Sequence, residues 1–488
     1  MIEKIVILAL YAIMILVVGF IGMRKTKSFH DFFLGGGNVG PWFSAFSYAT
    51  AYFSAVVFIG FAGKIGWGFG FSGVWIGVFN ALVGVLAVWH FLGWRIHKMS
   101  REMGVATLSE YLEKRYGSPF MKLFTSVSIF VFLVPYSAAV FIGLSYLFTS
   151  SFPLLQYWQA VVFMGVFTAF YIVMGGYKSM SLIDTLFGMI MVGGVILMLY
   201  FTLGSAGGLG AISNMLSTID TKLAAPVGPP GIWPLFSLIF LTSVAPFAMP
   251  QLLQKFYAIK DKRSIRIGMV VSTVFSLLIG CTAYFIGSTS RVFLSAESHP
   301  ELFADGVPIF DALMPQLLIE VIPDSLFIII LLLLLSASMS TLAALILISS
   351  SSLAKDFYAG FINKEVSDKK LTLLMRGGSV FFIIVSMGIA LVKPDTIVAI
   401  LGISWGAIGS AFLGPFIWGL FTKKANKAGA ISSMVAGLTV CIVLYLLGMS
   451  SPEAGTLGMV TSFAVNPIVS NLSAKLSNEP RKAKKNMV

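Results

Sequence analysis

Long runs of apolar residues, separated by short polar connections, recur along almost the whole chain. A helix needs about 20 apolar residues to cross the hydrocarbon core of a bilayer, and most of these runs have that length. The pattern predicts an all-α polytopic membrane protein. The first run is not followed by a small-residue cleavage site, which indicates a retained helix and not a signal peptide. The thirteen predicted spans are residues 5–23, 43–66, 73–93, 121–148, 157–174, 181–204, 233–256, 267–289, 325–349, 371–392, 396–421, 428–448 and 455–473.

Composition supports this prediction, and the charge distribution orients the chain. Hydrophobic residues make up 57% and charged residues 11%, whereas soluble domains are about 45–50% apolar and about 25% charged. When the connections are assigned alternately to two sides, one side receives all the basic residues, Lys255 included, except Lys4, Lys64, Lys222, Arg291 and Lys393. Lysine and arginine accumulate on the cytoplasmic side of membrane proteins. We therefore expect a cell-membrane protein with its N-terminus outside and its C-terminus inside, and the net charge of +13 needs no nucleic-acid partner.

The longer connections and the two cysteines add little chemistry. The connections at about 206–232 and 291–320 are predicted outside; the first contains a short helix and the second a helix lying on the membrane surface. Residues 478–488 form a basic cytoplasmic tail.

Cys281 and Cys441 lie within apolar runs, where a thiol behaves as a small hydrophobic group. Without a C-x-x-C pair or a His/Cys cluster, we expect neither a redox centre nor an organic cofactor.

Two of the predicted spans are unlike plain membrane helices. Small and hydroxyl residues crowd the middle of the second span, and the seventh contains Pro246 and Pro250, which interrupt the hydrogen bonding of a helix. Transporters place such breaks at matching positions of inverted repeats to build substrate and ion sites. The two spans are five apart, so each can open one repeat of five helices. The predicted divisions are the first helix with its cytoplasmic loop at 1–42, a first repeat at 43–204, an outer loop at 205–232, a second repeat at 233–421, and two further helices with the tail at 422–488.

The ninth span carries a stripe of small and hydroxyl residues. Ala337, Ser340 and Thr341 are spaced to lie on one helical face. Hydroxyls in membrane helices also bond to the preceding turn or allow close helix packing, and these simpler explanations stay open for any one serine. Opposite a broken helix, however, neutral hydroxyls and freed carbonyls are the ligands that a weakly held Na⁺ requires. The stripe therefore predicts a sodium site, with Na⁺ as the coupling ion.

Four motifs resemble the sodium:solute symporter family, which includes bacterial sodium/proline and sodium/pantothenate symporters. They are "GPWFSAFSYATAYFSAVVFIG" in span two, "GGYKSMSLIDTLFG" before span six, "SASMSTLAALILISSSSLAKDFY" in span nine and "GAIGSAFLGPFIWGLFTKKANKAGA" near the end. The resemblance extends from about residue 5 to 450. It implies a leucine-transporter-like fold in which spans two to eleven form two inverted five-helix repeats.

The resemblance also implies roles for individual residues. The family's sodium site corresponds to the carbonyls of Thr50, Phe53 and Ala337 and the hydroxyls of Ser340 and Thr341. Family members with a further sodium carry two more hydroxyls at positions that are Ala343 and Ala344 here, so a single sodium per cycle is expected. The matching aspartate, Asp184, lies near the cytoplasmic exit of the ion; its alternative role is that of an acid at a helix N-terminus.

The solute is expected beside the sodium, near the two breaks. The free N–H groups near Ala55 to Val57 favour a carboxylate, since no lysine or arginine reaches the middle of a span. Compared with the proline symporters, Tyr52 replaces an acidic residue and Thr242 a tryptophan. Each aromatic candidate could also be plain packing. The candidates are Tyr52, Ser54, Ala55, Asn80, Tyr136, Thr242, Ser243 and Phe247, with Thr50 beside them and Trp405 as an outer gate.

Together these features predict a secondary transporter and not an enzyme. It would carry a small organic solute, such as pantothenate, a monocarboxylate or proline, into the cell by alternating access. One sodium would move in each cycle, and the partners would be the solute and the lipid bilayer. Proton-coupled uptake through Asp184 is the alternative on the same fold. A membrane sensor of the solute is a further alternative, although no kinase-like segment follows span thirteen.

Overall fold

The computed structural model describes residues 2–25 and 28–485. Lys27, one of the predicted cytoplasmic basic residues, and residues 486–488 of the predicted tail lie outside the described part. The α-helices are α1 (Ile2–Lys25), α2 (Phe29–Leu34), α3 (Pro41–Tyr52), α4 (Ala62–Phe69), α5 (Val74–Phe79), α6 (Trp94–Met103), α7 (Leu108–Tyr116), α8 (Pro119–Ser151), α9 (Tyr157–Ser205), α10 (Leu209–Ile219), α11 (Ile232–Val244), α12 (Pro250–Ala258), α13 (Lys262–Ser288), α14 (Ser290–Phe293), α15 (Phe310–Val321), α16 (Phe327–Ser351), α17 (Asp368–Val392), α18 (Ile397–Phe421), α19 (Lys427–Leu446) and α20 (Ser451–Lys485).

Shorter elements connect or extend these helices. A two-stranded antiparallel sheet pairs β1 (Phe303–Ala304) with β2 (Val307–Pro308). The π-helical segments are Val56–Phe61, Asn80–Ala87, Trp89–Gly93 and Ser352–Ile362, and the 3₁₀ segments are Gly35–Gly37, Gly70–Gly73, Thr221–Ala224, Ala245–Phe247 and Pro300–Leu302. Most of the π-helical residues continue a membrane helix, where such segments are often found at functional positions.

Each of the thirteen predicted spans is helical. Among the described residues, ten helical stretches are by themselves long and apolar enough to cross a membrane. The lower number arises partly because one stretch, Val56–Met103, contains the second half of span two and the whole of span three. Gly70 turns the chain between them with φ 57°, and a Cβ there would come within 2.1 Å of the Leu223 carbonyl oxygen. The predicted fifth span contains a shorter apolar helix, Tyr157–Phe170.

Spans five and six belong to one long helix, α9, which is interrupted at Gly176 (φ 65°, ψ −179°). A Cβ at this position would lie 2.9 Å from the Phe32 ring. Glycine is required here because the left-handed backbone and the close approach to α2 both exclude a side chain. The chain therefore changes direction between the two predicted spans, as their separation in the sequence indicates.

Both predicted helix breaks are present. α3 ends at Tyr52, Phe53 is extended (φ −107°, ψ 117°), and helical structure resumes in a π-helical segment after Ala55. In span seven, α11 passes into the short 3₁₀ segment, Met249 is extended, and Pro250 opens α12. Proline is tolerated in the first turn of a helix, where its missing N–H would have no helical partner. The two breaks bring non-helical backbone into the interior of the bundle.

The helices differ strongly in how deeply they are buried. In the most apolar 18-residue stretch of each helix, 89% of the residues of α16 and α18 are buried, compared with 17% in α1 and 33% in α17 and α19. α16 and α18 therefore form the centre of the molecule, and α1 lies at its periphery. A hydroxyl on α16 consequently faces other helices and not lipid.

The outer helix α15 corrects one expectation. We predicted a helix lying on the membrane surface in this connection, but its apolar residues Leu313, Met314, Leu317 and Leu318 are fully buried. α15 packs on α4 and α8, because its apolar face finds a protein surface at the outer ends of these helices. Contacts among the outer basic residues agree with the predicted orientation, since Lys4 pairs with Asp324 and Lys64 donates to Thr396.

Candidate functional site

A cluster of buried oxygens joins the break of span two to the middle of α16. The Thr341 Oγ1 hydroxyl lies 3.4 Å from the Thr50 carbonyl oxygen, 3.2 Å from that of Ala51 and 3.1 Å from that of Ala337. The Ser340 and Thr50 hydroxyl oxygens are 2.7 Å apart. All of these groups are uncharged, and hard monovalent cations prefer such oxygens. We call Thr50, Ala51, Ala337, Ser340 and Thr341 the oxygen cluster.

The oxygen cluster contains four of the five residues that we expected to hold sodium. The fifth, Phe53, lies at the break itself, is fully buried, and donates its backbone N–H to the Ala49 carbonyl at 3.4 Å. The sequence reasoning missed Ala51, whose carbonyl is freed because α3 ends one residue later. Ala343 and Ala344 are buried one turn further along α16 and supply no hydroxyl.

Asp184 lies in the interior of the protein, beside polar side chains and near a lysine. It is fully buried, and its Oδ2 accepts a hydrogen bond of 2.6 Å from the Ser47 hydroxyl. The Ser47 oxygen in turn accepts a hydrogen bond of 2.9 Å from the Lys255 Nζ. Ser340 of the oxygen cluster is a further neighbour of Asp184. The aspartate is thus linked both to the oxygen cluster and to a lysine.

Lys255 corrects the assignment made from the sequence. We counted it among the residues of a cytoplasmic connection, but α12 holds its side chain with no exposed surface. The ammonium group also lies 5.0 Å from the centre of the Tyr177 ring. Hydropathy places Lys255 at the end of a run, and only the packing of α12 against α3 brings it inside. The sequence nevertheless indicated that Lys255 could be buried, because it follows the predicted break by only a few residues.

The backbone N–H groups after the break in span two have partners within the protein. Ala55 donates to the Ser338 hydroxyl oxygen at 3.1 Å, and Val56 donates to the Ser54 hydroxyl oxygen at 3.2 Å. Val57 donates to the Ser54 carbonyl oxygen at 3.0 Å. A carboxylate bound at this end would therefore replace Ser338 or Ser54 as an acceptor. Ser338 is a residue of the site that the sequence reasoning did not include.

Several predicted solute residues meet where spans two, three and seven approach one another. The Tyr52 hydroxyl donates to the Thr242 carbonyl oxygen at 2.6 Å, which connects the two broken spans. The Ser243 hydroxyl donates to the Asn80 side chain at 3.0 Å. Gly84 of span three allows this approach, because a Cβ there would lie 2.6 Å from the Tyr52 hydroxyl oxygen.

Aromatic rings border the same region. The Trp405 ring centre lies 5.9 Å from that of Tyr52 and 5.8 Å from that of Tyr136. Trp405 is buried two turns from the predicted outer end of α18. Phe247 is half-buried and belongs to the 3₁₀ segment between α11 and α12, which packs against α18. Residues predicted separately in spans two, three, four, seven and eleven thus surround one central region.

Some known proteins are similar to this chain in sequence, and others are similar to it in fold. A model described as the sodium:solute symporter family matches residues 32–437. The high-affinity proline transporter PutP of Bacillus subtilis is 27% identical over 447 residues, covering 89% of this chain and 90% of its own. The sodium/pantothenate symporter of Haemophilus influenzae is 27% identical over 448 residues, covering 88% and 87%.

Solved structures of transporters match nearly the whole chain. A substrate-bound, outward-open Na⁺-coupled sialic acid symporter superposes with a TM-score of 0.82 at 20% identity, covering 96% of this chain and 97% of its own. The nucleobase-cation-symport-1 family transporter Mhp1 gives a TM-score of 0.51 at 13% identity, covering 90% and 93%. The expected leucine-transporter-like fold is therefore confirmed.

Proposed function

The chain belongs to the sodium:solute symporter family, and from this premise we propose that it carries one Na⁺ with each molecule of a small organic carboxylate into the cell. Sodium-coupled symport across the cytoplasmic membrane is the activity of the family, and no enzymatic reaction is involved. The proposal adds the ion stoichiometry, the residues that hold the ion and the class of solute.

One observation carries the assignment of the sodium site. The Thr341 hydroxyl converges with three carbonyl oxygens from two different helices at 3.1 to 3.4 Å. The single proton of the Thr341 hydroxyl can satisfy only one or two of these carbonyl oxygens at a time, so a bound cation would complete the interactions of all of them. A sodium ion bound here would draw α3 and α16 together. Its ligands would come from Thr50, Phe53, Ala337, Ser340 and Thr341, with the Ala51 carbonyl as a further ligand.

The class of solute follows from the central region. Its candidates Tyr52, Thr242, Ser243 and Asn80 offer few polar groups, and aromatic rings surround them. A sugar would require many hydrogen-bonding side chains, because each buried hydroxyl needs a partner. Proline and pantothenate, which the relatives carry by name, each bear a carboxylate and have far fewer hydroxyl groups than a sugar. The N–H groups after Ser54 are the nearest backbone donors for that carboxylate, and Trp405 would close the site from outside.

Coupling would proceed by alternating access. Sodium binding fastens the break of α3 to α16 and stabilises the outward-facing form, which then binds the solute beside it. Movement of the inner halves, α3 and α12, opens the path to the cytoplasm. The membrane potential contributes about 2.3 kcal/mol per charge per 100 mV. The uptake of a zwitterion such as proline with one Na⁺ moves one net charge and is driven by both the potential and the sodium concentration gradient. The uptake of a carboxylate anion with one Na⁺ moves no net charge and is driven by the sodium concentration gradient alone.

Uptake in proteoliposomes tests this proposal. Purified protein would be given an inward sodium gradient with labelled pantothenate, proline, lactate, pyruvate or acetate in turn. Accumulation of one carboxylate, absent from protein-free liposomes and from a choline gradient, is the expected result. Accumulation that needs no sodium but follows an acid-outside pH gradient would instead support proton coupling, for which the buried carboxylate of Asp184 is the candidate carrier. Accumulation of none would contradict the assigned solute class.

A further inference from the structure

Lys255 is a cation placed inside the membrane part of the protein without a role in the proposed cycle. Its side chain has no exposed surface, although moving an ammonium ion out of water is strongly unfavourable even after relaxation of the protein. Ionisable residues at such depth are rare and usually functional. We therefore asked which neighbours compensate this charge.

The compensating charge is Asp184, and Ser47 lies between the two. Lys255 Nζ donates to the Ser47 oxygen at 2.9 Å, and the Ser47 hydroxyl donates to Asp184 Oδ2 at 2.6 Å. The face of the Tyr177 ring provides a second favourable contact for the ammonium. Asp184 Oδ1 is buried and has no hydrogen-bond partner among the described residues. The carboxylate thus faces the lysine indirectly, through the Ser47 hydroxyl.

This arrangement adjoins the oxygen cluster on its cytoplasmic side. Ser47 precedes Thr50 by one turn of α3, and Ser340 is a neighbour of Asp184. An ion that leaves the oxygen cluster toward the cytoplasm would reach the Asp184 carboxylate next. A carboxylate in this position attracts a cation, and Lys255 already supplies one.

We propose that Lys255 is a tethered cation that occupies the position beside Asp184 where a second sodium would otherwise bind. The proposal rests on the sodium-coupled function given above and deepens it, because it names the residue that limits the protein to one ion. Because Ala343 and Ala344 offer no hydroxyls, an ion at Asp184 would keep water molecules as its other ligands, and only the ammonium of Lys255 would keep it out, by supplying the positive charge that Asp184 needs.

The position of Lys255 on α12 also connects this charge to the transport cycle. Val39, just before α3, donates to the Ala258 carbonyl at 3.0 Å and accepts from the Lys260 N–H at 3.1 Å. The Gln254 amide donates to the Phe33 carbonyl at 2.8 Å. These bonds hold α12 against α3 and α2 at the cytoplasmic end. When the inner halves separate, Lys255 moves with α12 and leaves Asp184 free to accept the departing sodium.

Equilibrium binding of ²²Na⁺ to purified protein tests the proposal without relying on transport. The wild type should bind about one sodium per chain, whereas Lys255→Met should bind about two, since Asp184 then takes a hydrated cation. The double variant Asp184→Asn/Lys255→Met should return to one site, because both charges are removed. Lys260→Met is the matched control, since Lys260 is an exposed lysine five residues away, and it should behave as the wild type.

The outcomes separate this inference from the proposed function. A wild type that binds no sodium would contradict the proposed function itself. A wild type and a Lys255→Met variant that each bind one sodium, with normal thermal unfolding of both, would overturn only the role of Lys255. If Lys255→Met does not fold, Lys255→Gln takes its place, because its uncharged amide can still donate toward Ser47: two sodium ions per chain there support the proposal, and one contradicts it.

Discussion

The hydroxyl of Thr341 is the residue-scale feature on which the sodium site depends. It is the only atom in the described oxygen cluster that contacts carbonyls of both α3 and α16. Thr341→Ala removes this ligand, and loss of a buried polar interaction of about 1–3 kcal/mol corresponds to a rise of about fivefold to more than a hundredfold in the sodium concentration for half-maximal uptake. Uptake rates measured over a range of sodium concentrations check this expectation.

A control variant separates the ligand role from general destabilisation. Thr273→Val removes another buried hydroxyl, whose only hydrogen-bond acceptor in the described part of the chain is the Met269 carbonyl on its own helix, α13. Its sodium dependence should equal that of the wild type. Equal sodium dependence of Thr341→Ala and the wild type would refute the assignment of the site.

At the scale of whole helices, glycine residues allow two helices to pack closely. A Cβ on Gly66 of α4 would come within 2.1 Å of the Gly287 carbonyl carbon of α13. Gly66→Ala therefore forces the outer half of span two away from α13, and overpacking of this kind destabilises proteins by about 1–3 kcal/mol. Thermal unfolding in detergent should show a lower midpoint. Gly193→Ala, at a helical position with open space around it, should leave the midpoint unchanged or raise it.

Asp311 fastens the outer helix α15 to the start of α18. Its Oδ2 accepts a hydrogen bond of 3.1 Å from the Ile397 backbone N–H. Burial raises the pKa of Asp311 from 3.8 to about 6, while that hydrogen bond and Lys64 act in the opposite direction. The folded protein therefore binds a proton more readily than the unfolded chain does. The contribution of Asp311 to stability is greatest in its protonated form and declines as the pH rises from about 4 to about 6.

Asp311→Asn isolates this effect. The amide oxygen can still accept from Ile397, but the residue no longer titrates. Between pH 4 and pH 7, the thermal midpoint of the wild type should fall relative to that of the variant as the pH increases. Parallel midpoints over this range would contradict the role of burial at Asp311.

The orientation in the membrane is a property of the whole molecule. With Cys281 and Cys441 replaced by alanine, single cysteines would be placed at the exposed positions Glu301 and Lys424. We expect a membrane-impermeant maleimide to label Glu301→Cys in intact cells, and Lys424→Cys only after permeabilisation, because basic connections face the cytoplasm. The opposite labelling pattern would invert the predicted topology.

At this scale the repeat architecture and the positions of both helix breaks could be predicted from the sequence. Apolar runs and proline positions are local signals, and the requirement to satisfy every backbone group in lipid leaves a helix as the simplest outcome for each run. The family motifs further specified Thr50, Ala337, Ser340 and Thr341. The apolar runs and the helix breaks were predicted correctly because each depends on residues that are close together along the chain, whereas the role of these four residues in holding sodium stays a prediction.

Side-chain partners across the bundle depended on the tertiary structure. Thr341 meets Thr50 from 291 positions away, and Lys255 meets Ser47 from 208 positions away. Hydropathy assigned Lys255 to the cytoplasm and placed α15 on the membrane surface, because it records how polar a segment is and not which surface covers it. The sequence by itself therefore determined that each apolar run is helical and where two of the helices break. Only their packing decided that Ala51 and Ser338 join the site and that a lysine reaches Asp184, because burial and charge pairing are set by distant segments.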